Sequence, residues 1–168
     1  RLLSYDMDFL EAIEEIIKHE CIMVKSKNGE IKGPVTLFDI SVEHLYLTQP
    51  FILLGNIENY LRKVIDHHLT PESFLARFSE VSEKIKMSED LSFSQYTRAL
   101  NEEQLKKSIS QKYDLSAINK LIDDINDDRN AIMHFRTHRD LEAMTEKLSL
   151  AEKFFKGWSI SMTQGKGL

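Results

Sequence analysis

Arg129, Asn130 and His134 lie in the run Asp127-Asp128-Arg129-Asn130-Ala131-Ile132-Met133-His134-Phe135-Arg136, a polar cluster that interrupts a stretch whose Leu121, Ile122, Ile125, Ile132 and Met133 otherwise point to a core. On a helix, Asn130 and His134 fall about 40° apart around the axis and Arg129 about 100° to one side of Asn130, so the three can form one polar ledge. His134 sits near the expected end of that helix, where the dipole attracts cations, and imidazole is the side chain that gains or loses a proton near neutral pH. A proton shuttle beside a fixed cation is the minimum for RNA cleavage by its own 2′-hydroxyl, because the pentavalent phosphate needs a positive neighbour and no metal. The same residue types also suit a structural histidine at a helix end and an arginine paired in solvent with Asp127 or Asp128.

A second segment, Gly33-Pro34-Val35-Thr36-Leu37-Phe38-Asp39, ends a β-prone run in a hydroxyl and places a carboxylate three residues on, at a helix start. Thr36 with the helix N-terminus can meet a phosphate, and Asp39 can accept from ribose hydroxyls. Ordinary helix capping by Thr36 or Asp39 is the competing reading. Elsewhere the chemistry is thinner. His67 and His68 are adjacent, hence about 100° apart on a helix, and no zinc pattern surrounds them. Arg129, His134, Arg136, His138 and Arg139 precede the next acid, Asp140. They would suit a phosphate backbone, and solvated helix-end charge accounts for them equally. Phe154, Phe155 and Trp158 read as core or dimer interface.

The elements that must carry these residues follow from periodicity. Residues 8–18 place Phe9, Ala12, Ile13, Ile16 and Ile17 at helical spacing behind an Asp8 cap. Two short β-prone runs, 21–24 and 31–36, flank Asn28-Gly29, a strong hairpin signal. A helical pattern begins after Asp39. Beyond Pro50 the β signals vanish: helices are expected over 52–67, from Thr70-Pro71-Glu72 onward, over 96–113, over 116–135 and over 139–158. Residues 82–94 read as connection and 159–168 as a loose tail. Glu58 stands four before Arg62, a favourable ion-pair spacing.

At 168 residues the chain has room for one domain with a small companion. With 42% apolar and 29% charged residues, and a mean hydropathy of −0.34, it is a globule with a real core, which excludes global disorder. The formal charge is −5, carried mostly by residues 1–47 at −4. Bulk charge therefore says nothing about RNA. One cysteine, Cys21, in an apolar run indicates a reducing compartment, and with no membrane span and no secretory pattern the expectation is a cytoplasmic protein. The chain starts at Arg1, so an upstream segment is expected to be missing.

The string R-N-A-I-M-H-F closely resembles the R-x4-H signature of HEPN domains, which typically carry Asn after the Arg and an aromatic residue after the His. Residues 51–158 resemble the rest of that family through Ile57-Glu58, Leu61-Arg62, the Leu91-Ser92-Phe93-Ser94-Gln95-Tyr96 segment and a closing helix. The resemblance implies an antiparallel helical bundle that dimerises with two R-x4-H motifs facing one cleft. It also implies metal-independent endoribonuclease activity of a kind found in defence, toxin or RNA-processing systems. Carried over, Arg129 and His134 of both subunits would be catalytic, Asn130 would orient them and Glu58 would support them. Residues 8–47 resemble a single CBS motif, with G-x-x-T-x-x-D leading into a helix and Pro34 replacing the usual small residue. That implies an adenosine-type ligand at Thr36 and Asp39, and a second motif supplied from upstream or from another subunit.

The expected fold class is α+β, a CBS-like helix–hairpin–helix unit over 1–47 followed by an all-α HEPN bundle over 48–168. The expected function is RNA cleavage by a homodimer, gated by an adenine nucleotide at the first unit, with no cofactor needed for catalysis, no metal and no membrane partner. The alternative is a non-catalytic nucleotide-binding or dimerisation module.

Overall fold

The computed structural model describes residues 1–78, 84–134 and 140–164. Within them the chain is α+β and mostly helical, with seven α-helices and one small three-stranded sheet. It divides into two compact units, residues 1–49 and 50–168.

The first unit runs β1 (Leu2–Ser4), α1 (Phe9–His19), β2 (Cys21–Lys25), β3 (Ile31–Thr36) and into α2 (Leu37–His68). Strand order is β1-β2-β3, β1 parallel and β3 antiparallel to β2. Asp8 caps α1, its carboxylate accepting from the Leu10 N–H at 2.9 Å, and the helix ends at Glu20 in a left-handed conformation, φ 60°. β1 escapes periodicity analysis because three residues are too few to show alternation, although Leu3 is buried between exposed Leu2 and Ser4. The hairpin turns at Gly29, whose φ of +81° an L side chain would resist. Gly33 and Pro34 lie inside β3, where Pro34 pairs with Met23. β3 has β2 on one side only, and an edge strand is where a sheet tolerates a residue without an N–H. The core of this unit is small: Leu3, Ile16 and Ile22 are buried, with Met7, Ala12, Val24, Val35 and Ile40 packed against them.

The second unit begins within α2 and continues through α3 (Pro71–Phe78), a 3-10 turn at Ser88–Asp90, α4 (Phe93–Leu100), α5 (Glu103–Ser110), α6 (Leu115–Met133) and α7 (Leu141–Thr163). Three differences from the periodicity reading have physical causes. Pro50 does not separate two helices; α2 runs through it. A proline removes one backbone bond but its fixed φ is helical, and here its ring is buried. The segment 96–113 is not one helix. Asn101 turns its amide onto the Thr97 carbonyl at 2.7 Å and ends α4, and α5 starts two residues later. An unbroken helix would set Leu100 and Leu105 about 140° apart; with the break, both are fully buried. The third difference is at the end of the chain, where α7 extends to Thr163, beyond the expected stop near Trp158, because Trp158, Ser159 and Met162 still face the core. Phe135 and the start of the last expected helix at Arg139 lie outside the described residues, as do residues 82 and 83 of the polar connection.

α6 shows why the bundle closes. Ile118, Ile122, Ile125 and Ile132 recur at three, four and seven residues and are all buried, as are Leu61, Val64 and Ile65 of α2 and Leu148, Ala151, Phe155 and Trp158 of α7. No helix among the described residues is long and apolar enough to cross a membrane. Ile122 is fully enclosed, so Ile122→Ala should lower unfolding free energy by about 2–5 kcal/mol, read as a smaller urea midpoint with an unchanged slope.

Candidate functional site

Glu58 and Arg62 flank the buried stripe of α2, Glu58 directly after Ile57 and Arg62 directly after Leu61, so both side chains start at the edge of the core and reach outward. Their side chains are 22% and 25% exposed, and Arg62 Nη2 donates to Glu58 Oε2 at 2.9 Å. The Arg62 guanidinium is fixed on its other edges as well: Nε donates to the Tyr96 hydroxyl of α4 at 2.9 Å and Nη1 to Asn59 Oδ1 at 3.4 Å. Tyr96 stands in the core against Phe93, ring centroids 5.7 Å apart and nearly perpendicular. Burial pushes its hydroxyl pKa above the ordinary tyrosine value; Glu58 adds to the rise, while the Arg62 hydrogen bond and the charges of Arg62 and Arg129 oppose it. At neutral pH it is a phenol that accepts from Arg62.

Arg129 arrives from α6. Its Nε lies 3.8 Å from Glu58 Oε1, too long for a hydrogen bond, and its side chain is 34% exposed. Of the expected site residues the structure therefore brings Glu58 and Arg129 together. Asn130 is half-buried, His134 is exposed, and among the described residues neither side chain makes a hydrogen bond. His134 caps α6, its N–H bonded to the Asn130 carbonyl at 3.2 Å. Arg136, His138 and Arg139, the rest of the basic set, lie outside the described residues.

Asp128 is not the solvated partner of Arg129 that the residue types allowed: it is 5% exposed and accepts from Lys147 Nζ of α7 at 2.7 Å. The signal was present in the spacing: Asp128 comes three after Ile125 and four before Ile132, where the core-facing stripe passes. Asp123, Asp124 and Asp127 are exposed. Among the described residues no three His, Cys, Asp or Glu side chains gather as metal ligands. An open depression of about 420 Å³, lined by Lys106, Tyr113, Asp114 and Asn119 among others, lies at the far end of α6, with Asn119 about 15 Å along the axis from Arg129.

In the first unit Thr36 and Asp39 close on each other. Asp39 Oδ2 accepts from the Thr36 N–H at 2.8 Å and from its hydroxyl at 2.7 Å, and the Asp39 N–H reaches Thr36 Oγ1 at 3.4 Å. This is a reciprocal cap on the start of α2. Both bonds to the carboxylate use Oδ2, so Oδ1 has no donor among the described residues.

Searches of protein-family models, curated proteins and solved structures return no match to this chain. Its chemistry is read from its own side chains.

The Thr36 hydroxyl, then the Thr36 N–H, hold the Asp39 carboxyl below its ordinary 3.8 against a small opposing effect of burial. A lowered pKa means the cap's contribution is present above pH 3.8 and lost as pH falls through the lowered value. Carboxyl-carbon NMR titration should place Asp39 below 3.8 in the native protein and return it toward 3.8 in Thr36→Val.

Proposed function

We propose that the protein is a metal-independent endoribonuclease of HEPN type, acting as a homodimer in which two Arg129–His134 pairs face one cleft, with an adenine nucleotide at the CBS-like unit as its regulatory ligand. The observation that carries this reading is the state of Arg129. It is a partly exposed guanidinium whose one charged neighbour among the described residues is 3.8 Å away and already engaged by Arg62, at the same helix end as an exposed imidazole. A cation left short of negative charge is complementary to a phosphodiester. An imidazole buried in its own subunit against Asp127 or Asp128 would have argued for a structural role; His134 is exposed and Asp128 is engaged by Lys147.

In the reaction the 2′-hydroxyl oxygen attacks the adjacent phosphorus, giving up its proton to a base. The bond to the 5′-oxygen breaks, and that oxygen takes a proton from an acid. His134 serves the proton transfers and Arg129 stabilises the phosphorane. One imidazole cannot be acid and base on opposite sides of one phosphorus at once. Two copies remove the difficulty, each supplying an imidazole to a shared cleft. Asn130, one residue on from Arg129, orients the pair, and Glu58 supports it.

For the first unit, the β-α-β-β-α order with Thr36 closing the last strand supports the CBS-like reading. Asp39 Oδ1 is the acceptor that ribose hydroxyls would use. Only three apolar side chains are buried there, while Phe9, Leu10, Ile17, Phe38, Val42 and Leu45 are more than half exposed. Apolar surface of that extent fits a motif that pairs with another. The same observation supports the second reading, a non-catalytic module that dimerises and binds a nucleotide or a partner chain.

Incubating the purified dimer with assorted RNAs in EDTA separates the two. The nuclease should cut, leave DNA intact, and leave 2′,3′-cyclic phosphate or its 3′-phosphate product. Arg129→Ala or His134→Ala should each slow it by about 10²-fold or more, and the exposed His134→Ala should shift stability by less than about 0.5 kcal/mol. Full activity in His134→Ala, products ending in 3′-hydroxyl, or no cleavage of any RNA would overturn the nuclease.

A further inference from the structure

Arg62 is bonded through all three of its nitrogens to groups of its own chain: Tyr96 through Nε, Asn59 through Nη1 and Glu58 through Nη2. Such a guanidinium has little left with which to meet a ligand. Arg129 is the opposite case, one Nε at 3.8 Å from Glu58 and the rest of the group uncommitted among the described residues. The difference comes from Glu58, whose Oε2 is drawn to Arg62 while Oε1 stays beyond hydrogen-bonding distance of Arg129. Arg62 in turn is held by the hydroxyl of a tyrosine whose ring is fully buried in the core, which accepts from its Nε at 2.9 Å.

We infer that Arg62 and Tyr96 are positioning residues that hold Glu58 back from Arg129 and so keep the Arg129 guanidinium available to an anion. Glu58 has two cations within 4 Å and one negative charge. If Arg62 lost its charge, or lost the tyrosine that fixes it, the carboxylate would turn to Arg129 and form the direct hydrogen-bonded pair that the present geometry prevents. A charge-assisted pair of that kind is shorter and stronger than the 3.8 Å contact, and it would compete with any phosphate. Arg62 and Tyr96 touch no substrate in this scheme. Their effect passes through Glu58, which gives it a sign that a mere brace between α2 and α4 would lack: removing Glu58 should cancel the harm done by removing Arg62.

The importance of Arg129 for cleavage rests on the proposed nuclease function, whereas its pairing state can be measured without it. The Nε–Hε resonance of Arg129, assigned by its loss in Arg129→Lys, should move to the position of a carboxylate-bonded guanidinium in Arg62→Gln and, to a smaller extent, in Tyr96→Phe, which keeps the ring. In Glu58→Gln/Arg62→Gln it should fall where it falls in Glu58→Gln alone. With RNA, Arg62→Gln should lower kcat/KM about tenfold against the native protein, and the same change made in Glu58→Gln should alter it less than about twofold. An Arg129 resonance unmoved in folded Arg62→Gln and Tyr96→Phe would overturn the inference, as would an Arg62→Gln loss of equal size in both backgrounds. If no variant and not the native chain cuts RNA, the nuclease reading fails and the resonance still decides whether Arg62 and Tyr96 restrain Glu58.

Discussion

One carboxylate has to serve two guanidinium groups where α2, α4 and α6 of the helical unit meet, and the polar chemistry of that region follows from the imbalance. Glu58 is close enough to Arg62 to bond it and only near Arg129. A cluster with two positive charges and one negative, partly shielded from water, is a standing attraction for an anion, and the attraction is strongest at the cation whose nitrogens are uncommitted. Asp128, which could have neutralised Arg129 from the neighbouring position on α6, is instead turned into the core and engaged by Lys147. The 100° step between consecutive residues of a helix thus separates a core-facing carboxylate from a partly exposed arginine.

The bundle supplies the rigidity this requires. Leu61, Val64 and Ile65 on α2, Tyr96, Ala99 and Leu100 on α4, and Ile122 and Ile125 on α6 are fully buried in one continuous core. They set the axial positions of the helices, and the polar residues at the rim of that core inherit their spacing. Tyr96 belongs to both sets, its ring in the core and its hydroxyl at the rim, which makes it the point where packing is converted into charge placement. The first unit differs in kind. With three buried apolar residues it has little packing to draw on, and its candidate residues, Thr36 and Asp39, hold each other through a local cap that needs no distant contact.

Much of this was legible in order along the chain. Helical spacing over Ile118 to Ile132, the Asn28-Gly29 hairpin, the Asp8 cap and the Glu58–Arg62 interval are all local patterns, because each depends on residues a few positions apart. The Thr36–Asp39 cap was legible for the same reason. Where local reading went astray, a neighbour far along the chain had decided: Leu105 needed the core and broke the 96–113 helix, and Trp158 and Met162 extended α7.

The sequence by itself determined which residues carry charge, hydroxyl or imidazole, and on which helical face each must lie, since 3.6 residues per turn leaves no choice once a helix is formed. It could not determine which charge meets which. Arg62 and Tyr96 are 34 positions apart, Asp128 and Lys147 are 19, and Glu58 meets Arg129 only because α2 and α6 share a core. Those pairings depend on how side-chain volumes fit between helices, which is a property of the packed whole, and they decide that Arg62 is hydrogen-bonded to Glu58 while Arg129 stays 3.8 Å from it.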